Sequence, residues 1–323
     1  MLSAYVERFD RQDPVSALVV GDRPGPAVPD GWAAVEVRAA SINHHDIWSL
    51  RGVGPAEENL PMILGCDAAG IDDEGREVVV HAVIQESARR GEPAVRSVLS
   101  ERHQGTFAER VAVPRENLIP KPPELSFAEA ACLPTAWLTA YTMLFRQAGV
   151  SAGDTVLVQG ASGGLSTALI VLGRAAGLRV WVTGRTADKR EYASRIGAHE
   201  AFPSDAKLPE RVDAVMDSVG AATWTHSLKA LRPEGTLVTA GATSGHVAET
   251  HIARVFAHRL RIVGTAMGSA DDLRRLLRFC ALHKLTPPIH DALPLSRARE
   301  AFATVADGEV RGKVVLLPST TRR

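Results

Sequence analysis

The chain has 323 residues, sets 37 Lys and Arg against 37 Asp and Glu, and is 45% hydrophobic; a neutral chain carries no electrostatic footprint for nucleic acid or for an anionic membrane surface. No apolar run reaches the length of a membrane-spanning helix, and the opening Met1-Leu2-Ser3-Ala4-Tyr5-Val6-Glu7-Arg8 lacks the layout of a signal peptide. The length suggests about two domains, and three cysteines (Cys66, Cys132, Cys280) without disulfide or metal spacing make a reducing cytoplasm the expected location.

From the N-terminus, residues 1–121 hold short β-prone runs separated by Gly and Pro, at 33–37, 77–80 and 109–113, and predict a compact β-rich domain. From 122 to 267 strands and helices alternate as a parallel sheet requires. The first of these strands is Thr155-Val156-Leu157-Val158-Gln159, and Gly160-Ala161-Ser162-Gly163-Gly164 breaks it. A helical pattern follows, with Leu165, Ala168, Leu169, Leu172 and Ala176 on one face, and then the strand Arg179-Val180-Trp181-Val182-Thr183. Further strands are expected at 212–217, 235–241 and 261–265. After Asp271 comes a helix, and then a strand at 311–317 that has to return to the first domain, so that 268–323 joins 1–121. Ser319 to Arg323 reads as a frayed tail. A nucleotide domain inserted into a β domain places the chemistry in the cleft between them.

The turn between the first strand and its helix has a specific use. Glycines let the backbone approach a ligand closely, and a helix N-terminus presents N–H groups to a pyrophosphate. Gly160, Ala161, Ser162, Gly163, Gly164 and Leu165 are therefore expected to hold a dinucleotide. Ser166 stands where a third glycine is usual, and it is small enough for close helix–strand packing. The end of the second strand bears on which dinucleotide. An NAD site usually places an acid there for the ribose hydroxyls, whereas this chain has Thr183-Gly184-Arg185-Thr186 followed by Asp188-Lys189. Arg185, Thr186 and Lys189 suit a 2′-phosphate, so NADP(H) is the expected cofactor. The other reading leaves Arg185 and Lys189 as solvated charges and Thr186 as a helix cap.

With these pieces in place the chain resembles the medium-chain dehydrogenase/reductase superfamily, and within it the quinone-oxidoreductase-like members. The resemblance runs through Asn43-His44-His45-Asp46, Gly65-Cys66-Asp67-Ala68-Ala69-Gly70 and Gly105-Thr106-Phe107-Ala108-Glu109. It continues in Leu133-Pro134-Thr135-Ala136-Trp137-Leu138-Thr139-Ala140-Tyr141, Gly241-Ala242-Thr243-Ser244-Gly245 and Gly312-Lys313-Val314-Val315-Leu316. It implies an α/β fold made of a GroES-like catalytic domain and a Rossmann domain with a doubly wound parallel sheet. It also implies hydride transfer from a nicotinamide, and a homodimer formed through Rossmann edge strands.

The metal positions of the zinc-containing relatives fall here on Asn43, Cys66 and Thr135. One thiolate with an amide and a hydroxyl is a poor zinc site. The four-cysteine lobe of those relatives falls between His81 and Gly105, where Ser87-Ala88-Arg89-Arg90-Gly91-Glu92 has no cysteine. Adjacent residues such as His44 and His45 point in different directions, so no metal is expected.

Without a Lewis acid, reduction of a conjugated carbonyl (an enone or enoyl group) or a quinone is easier than alcohol oxidation. Some relatives place a tyrosine as proton donor where this chain has Trp48, whose indole is no acid, so His44, His45 and solvent are the remaining donors. His45 is the preferred one. By the same carry-over Asn43 addresses the substrate carbonyl or the nicotinamide ribose, and Thr139 lies close to the nicotinamide. Trp48 and Trp137 either wall a flat substrate or pack in the core. Gly241, Ala242, Thr243, Met267 and Lys313 are expected along the cofactor; Lys313 reaches a phosphate or ribose, or faces water. The alternatives are an NADP-dependent alcohol dehydrogenase or carbonyl reductase, and a cofactor-binding protein without turnover.

Overall fold

The computed structural model describes residues 1–86 and 95–318. The cysteine-free segment at 87–92 and the tail at 319–323 lie outside the described residues. The chain divides into two units, Met1–Thr135 with Ser269–Arg323, and Ala136–Gly268.

In the first unit the period-two pattern of strands builds one core. The largest sheet runs in the order Leu118–Pro120, Glu77–Val80, Asp67–Asp72, Trp32–Ser41, Lys313–Leu317 and Ile289–Pro294, and Arg110–Pro114 also pairs with Trp32–Ser41. Alternate residues turn inward: Val35 and Val37, Val78 and Val80, Val111 and Val113, Val314 and Leu316 share one hydrophobic cluster. Phe107 meets Phe302 edge-on in the same cluster, with ring centroids 5.7 Å apart. The C-terminal strand does return to this sheet, antiparallel to Trp32–Ser41, with Val315 opposite Ser41.

Residues 122–135 belong to this unit and not to the nucleotide domain, which corrects the expected boundary. The short helix Phe127–Ala131 packs on the strands Trp32–Ser41 and Asp67–Asp72, and the Ser41 hydroxyl oxygen lies 3.0 Å from the Ala131 carbonyl. A capping box between Ser126 and Glu129 starts that helix.

The second unit is a six-stranded sheet, parallel throughout, in the order Glu200–Phe202, Arg179–Thr183, Thr155–Gln159, Val212–Asp217, Leu231–Thr239, Arg261–Gly264. This order reverses at Thr155–Gln159, as in a dinucleotide-binding doubly wound sheet. Central strands covered on both faces need continuous apolar runs, and Thr155–Gln159 is buried at every residue. The helix Gly164–Ala175 buries Ala168, Leu169 and Leu172 as its periodicity requires. Among the described residues no helix is long and apolar enough to cross a membrane.

Candidate cofactor and catalytic site

In the second unit the expected cofactor residues gather at one edge, because parallel strands end on the same side of their sheet. Gly160–Leu165 follow Thr155–Gln159, Thr183–Lys189 close and follow Arg179–Thr183, Gly241–Thr243 follow Leu231–Thr239, and Met267 follows Arg261–Gly264. Gly160 has φ +98°, and a Cβ there would stand 2.9 Å from Ser166 Oγ, so the turn needs glycine. Gly163 caps the helix Gly164–Ala175 with no side chain accepting from its first turn, and a Cβ on Gly163 would meet open space. Uncapped N–H groups facing open space suit a pyrophosphate.

Under this edge lies a buried polar chain. Thr183 Oγ1 donates to Gln159 Oε1 at 2.6 Å, Gln159 Nε2 donates to Ser227 Oγ at 3.0 Å, and Ser227 Oγ donates to Asp217 Oδ2 at 2.7 Å. Arg185 and Thr186 are exposed, whereas Lys189 is buried. Thr186 is also the helix cap, its hydroxyl accepting from Lys189 N at 3.4 Å. Arg190, which the sequence reading passed over, donates from Nη1 to the Gly184 carbonyl at 2.8 Å and steadies the same turn. Thr139 is buried on the helix Leu138–Thr142 of this unit. Trp137 is completely buried, which makes it core and not an open pocket wall.

The first unit holds the histidines. A short helix, His44–Leu50, begins at Asn43, whose backbone N–H donates to Asp46 Oδ2 at 2.7 Å. The two histidines diverge as expected. His44 is exposed and meets half-buried Trp48 edge-on at 6.5 Å. His45 turns inward: Nδ1 is 3.4 Å from Cys66 Sγ and Nε2 is 3.1 Å from Glu101 Oε1. The fully buried Cys66 follows Gly65, whose φ of +100° admits only glycine beside Thr106 and Phe107. Burial pushes the Cys66 thiol up, and the charge of His45 pulls it back. The sulfur, followed by Asp46 and Glu101, raises the His45 imidazole well above its ordinary value against the cost of burial.

Two expectations are corrected here. Lys313 does not face water. It is 2% exposed, and Nζ donates to Asn43 Oδ1 at 2.5 Å and Ile42 O at 2.8 Å, with Asp67 Oδ2 at 3.3 Å. Asn43 in turn donates from Nδ2 to Asp67 Oδ2 at 2.8 Å, so its amide is committed inside the protein and not presented to a substrate carbonyl. A buried ammonium cannot be left without acceptors, and these residues supply them. Zinc does not fit the ligand positions carried over from the relatives, because an ammonium already occupies the surroundings of Asn43. A different set does converge, however: His45, Asp46 and Cys66 offer ligand atoms all within 4.8 Å of one another. His44 stays outside this trio, exposed beside Trp48. Asp67, Glu101 and Lys313 gain roles that sequence reasoning missed. The acid in Gly65-Cys66-Asp67, inside an otherwise apolar run, was the available signal for Asp67; Glu101 had none.

Comparison with known proteins agrees with this architecture. The family model of the alcohol dehydrogenase GroES-like domain matches residues 29–123, and that of the zinc-binding dehydrogenases matches 196–316. A Schizosaccharomyces pombe protein assigned as a quinone oxidoreductase is 30% identical over 335 residues, covering 98% of each chain. This chain belongs to the medium-chain dehydrogenase/reductase superfamily. As a member of that superfamily it is an oxidoreductase with a pyridine-nucleotide-binding fold. The crystal structure of an NAD-dependent alcohol dehydrogenase superposes with a TM-score of 0.90 at 32% identity, covering 99% of this chain and all of that one. An acryloyl-coenzyme A reductase of Sulfurisphaera tokodaii is 27% identical over 306 residues, covering 88% of this chain and 91% of that protein. These medium-chain dehydrogenase/reductase relatives thus include an acryloyl-coenzyme A reductase and a quinone oxidoreductase as well as an alcohol dehydrogenase.

Proposed function

We propose that this protein is an NADPH-dependent reductase of a conjugated carbonyl or quinone, working without zinc. The observation that carries the reading is the Lys313–Asn43–Asp67 lock, which fills with an ammonium the surroundings of a position where alcohol-oxidising relatives keep a metal ligand. The quinone oxidoreductase and acryloyl-coenzyme A reductase among the relatives support the same chemistry. NADPH, when bound, supplies a hydride to the β-carbon of the substrate. The turn from Gly160 to Leu165 would hold its pyrophosphate, and Arg185, Thr186 and Lys189 its 2′-phosphate. Electron density then collects on the substrate oxygen, and the resulting enolate needs a proton. His45, half-buried, with Glu101 Oε1 3.1 Å from its Nε2 and its imidazole raised from the ordinary value, is the assigned proton donor.

The test is calorimetric titration with NADPH and NADH, followed by NADPH oxidation with quinones, enones and enoyl thioesters in the presence of a chelator. NADPH binding at least about tenfold tighter and turnover on the conjugated substrates are expected. Equal affinity for NADH removes the phosphate pocket. Turnover confined to simple alcohols or ketones favours the second reading, an alcohol dehydrogenase or carbonyl reductase, which the 32% identical structure recommends. Cofactor binding with no turnover on any substrate leaves a non-catalytic binding protein.

Homodimerisation through the edge of the Rossmann sheet is part of this reading. Ile262, on the edge strand Arg261–Gly264, is 40% exposed, and Ile252 and Phe256 on the helix Ile252–Ala257 are 72% and 70% exposed. Apolar groups beside an unpaired strand edge suit a second copy. A monomer by light scattering ends that part.

A further inference from the structure

We infer that His226 is a positioning residue for the cofactor edge of the second unit. Through the Gln159 side chain its neutral imidazole holds three strand ends together, and protonation releases them, so that NADP(H) binding weakens in acid. The effect on binding rests on the NADP(H) reading above; the hydrogen-bonded network does not.

One buried amide is the centre of this network. Gln159 is 1% exposed and uses its carbonyl oxygen and both amide hydrogens. Oε1 accepts from Thr183 Oγ1, while Nε2 donates one hydrogen to Ser227 Oγ and the other to His226 Nδ1 at 2.9 Å. Gln159 directly precedes the turn Gly160–Leu165, and Thr183 directly precedes Gly184, Arg185 and Thr186. The segments assigned to the pyrophosphate and to the 2′-phosphate thus share one amide. Ser227 ties the same amide to Asp217, at the end of the strand Val212–Asp217.

The direction of these bonds is fixed from the far end. Val219 N and Gly220 N both donate to Asp217 Oδ1, at 2.8 and 3.0 Å, which marks this buried carboxylate as the acceptor. Ser227 gives its single hydrogen to Asp217 Oδ2 at 2.7 Å and accepts from Gln159. The remaining amide hydrogen needs a lone pair, so His226 Nδ1 carries no proton. Nε2 carries it and donates to the Ala206 carbonyl at 3.0 Å.

A second proton on the imidazole breaks this order. Nδ1–H then faces the Gln159 amide N–H, donor against donor. Turning the amide over does not repair the network, because Oε1 then faces Ser227 Oγ, whose hydrogen is already given to Asp217. Either way a buried polar group loses its partner. Imidazole is the side chain that changes charge between about pH 5 and 8.

His226 is half-buried beside a surface cleft of about 440 Å3, roomy enough for water to deliver a proton. Asp205, Lys207, Glu210, Arg211 and Lys229 line the cleft. Glu210 is paired with Arg179, while Arg211 and Arg254 donate to carbonyls at the end of the helix Ala221–Ala230. That helix packs on Thr155–Gln159, Val212–Asp217 and Leu231–Thr239. The charged groups of these strands are Asp213, Asp217, Arg232 and Glu234, with Asp213 paired to Arg232 and Glu234 to Arg259. Cations and anions are therefore mixed around His226, and Asp217 reaches it through Ser227 and Gln159.

The test uses the full-length protein, first without ligand and then with NADP+, the acid-stable oxidised form. With 15N-labelled histidines, His226 is expected at about pH 8 with its proton on Nε2. The comparison variant is His226→Asn, which keeps an acceptor for Gln159 and takes no proton. Backbone hydrogen exchange over 183–186 should be faster in the parent than in this variant at about pH 5.5, and equal at about pH 8. Between those two conditions the calorimetric affinity for NADP+ should fall about fivefold more in the parent than in His226→Asn, the worth of one hydrogen bond. Comparing the two variants cancels the titration of the 2′-phosphate itself, at about pH 6. His226→Leu, which offers no acceptor, should bind about fivefold more weakly than the parent at the higher pH, with folding checked by circular dichroism. A proton on Nδ1 at the higher pH, exchange that does not separate the parent from His226→Asn, or affinities that fall in parallel overturn the inference. NADP+ binding to no variant at either pH defeats the cofactor reading and the effect on binding together, while tautomer and exchange still decide the network.

Discussion

Lys313 Nζ stands 2.5 Å from Asn43 Oδ1, a contact between residues 270 positions apart in the chain. The strand Lys313–Leu317 lies antiparallel to Trp32–Ser41, with Leu316 opposite Ala40 and Val315 opposite Ser41. That register brings the amine to the far end of Trp32–Ser41, where Asp67 Oδ2 also accepts from Ser41 Oγ at 2.8 Å. Ammonium, amide, carboxylate and hydroxyl thus form one buried cluster that locks the loop ahead of His44–Leu50.

Removing the cation strands the anion. Lys313→Met is expected to destabilise the protein by about 3–5 kcal/mol, because Asp67 is left buried without its partner. Lys313→Met combined with Asp67→Asn should recover part of that loss. Urea unfolding of the three variants measures both effects; equal stability of the single and double variants would falsify the pairing.

Two glycines of the dinucleotide turn separate folding from binding. Gly160→Ala must adopt φ +98° with Ser166 Oγ in the way, and should cost about 1–3 kcal/mol of stability. Gly163→Ala has an ordinary φ of −68° and open space for its methyl, so stability should stay within about 0.5 kcal/mol. That methyl fills the space assigned to the pyrophosphate, and NADPH affinity should drop at least about tenfold. Calorimetry with both variants decides; full NADPH affinity in Gly163→Ala moves the pyrophosphate elsewhere.

Arg185 is exposed and directly precedes the helix cap Thr186. Arg185→Glu is expected to lower NADPH affinity at least about tenfold while leaving NADH binding almost unchanged, since only the 2′-phosphate meets the reversed charge. Parallel losses for both cofactors would mean a general effect on the turn.

Asp72 gives a pH dependence with a definite sign. Burial works against its charged form, but the backbone N–H groups of Arg76 and Glu74 and the Arg76 guanidinium hold the carboxyl below its ordinary 3.8. The carboxylate accepts from Arg76 N at 2.8 Å, Glu74 N at 3.0 Å and Arg76 Nε at 2.8 Å. A lowered folded-state pKa contributes stability that is present above the unfolded value and lost as pH falls through the folded one. The gap in urea midpoint between the parent protein and Asp72→Asn should therefore be open at neutral pH and close as pH falls below about 3.8. A gap that does not change with pH refutes the assignment.

Much of the nucleotide-binding unit was legible locally. Thr155–Gln159, Arg179–Thr183 and Val212–Asp217 are continuous apolar runs because both faces of a parallel sheet are covered, and the glycine turn is a short-range motif. Family membership followed from such pieces taken in order. The placement of residues 122–135 was not legible, since it depends on the helix Phe127–Ala131 docking onto strands far back in the chain.

The chemistry of the catalytic unit was set by tertiary structure. Residue types alone left Lys313 as a surface or cofactor lysine, and left His45 as a histidine beside another histidine. Sheet register then carried Lys313 to Asn43 and Asp67, and brought His45 against Cys66 and Glu101, which lie 21 and 56 positions further along the chain. Apolar periodicity determines which face of a strand is buried, and so it is written in consecutive residues. Which polar groups share that burial depends on how strands are ordered and aligned, and only the folded sheet decides it.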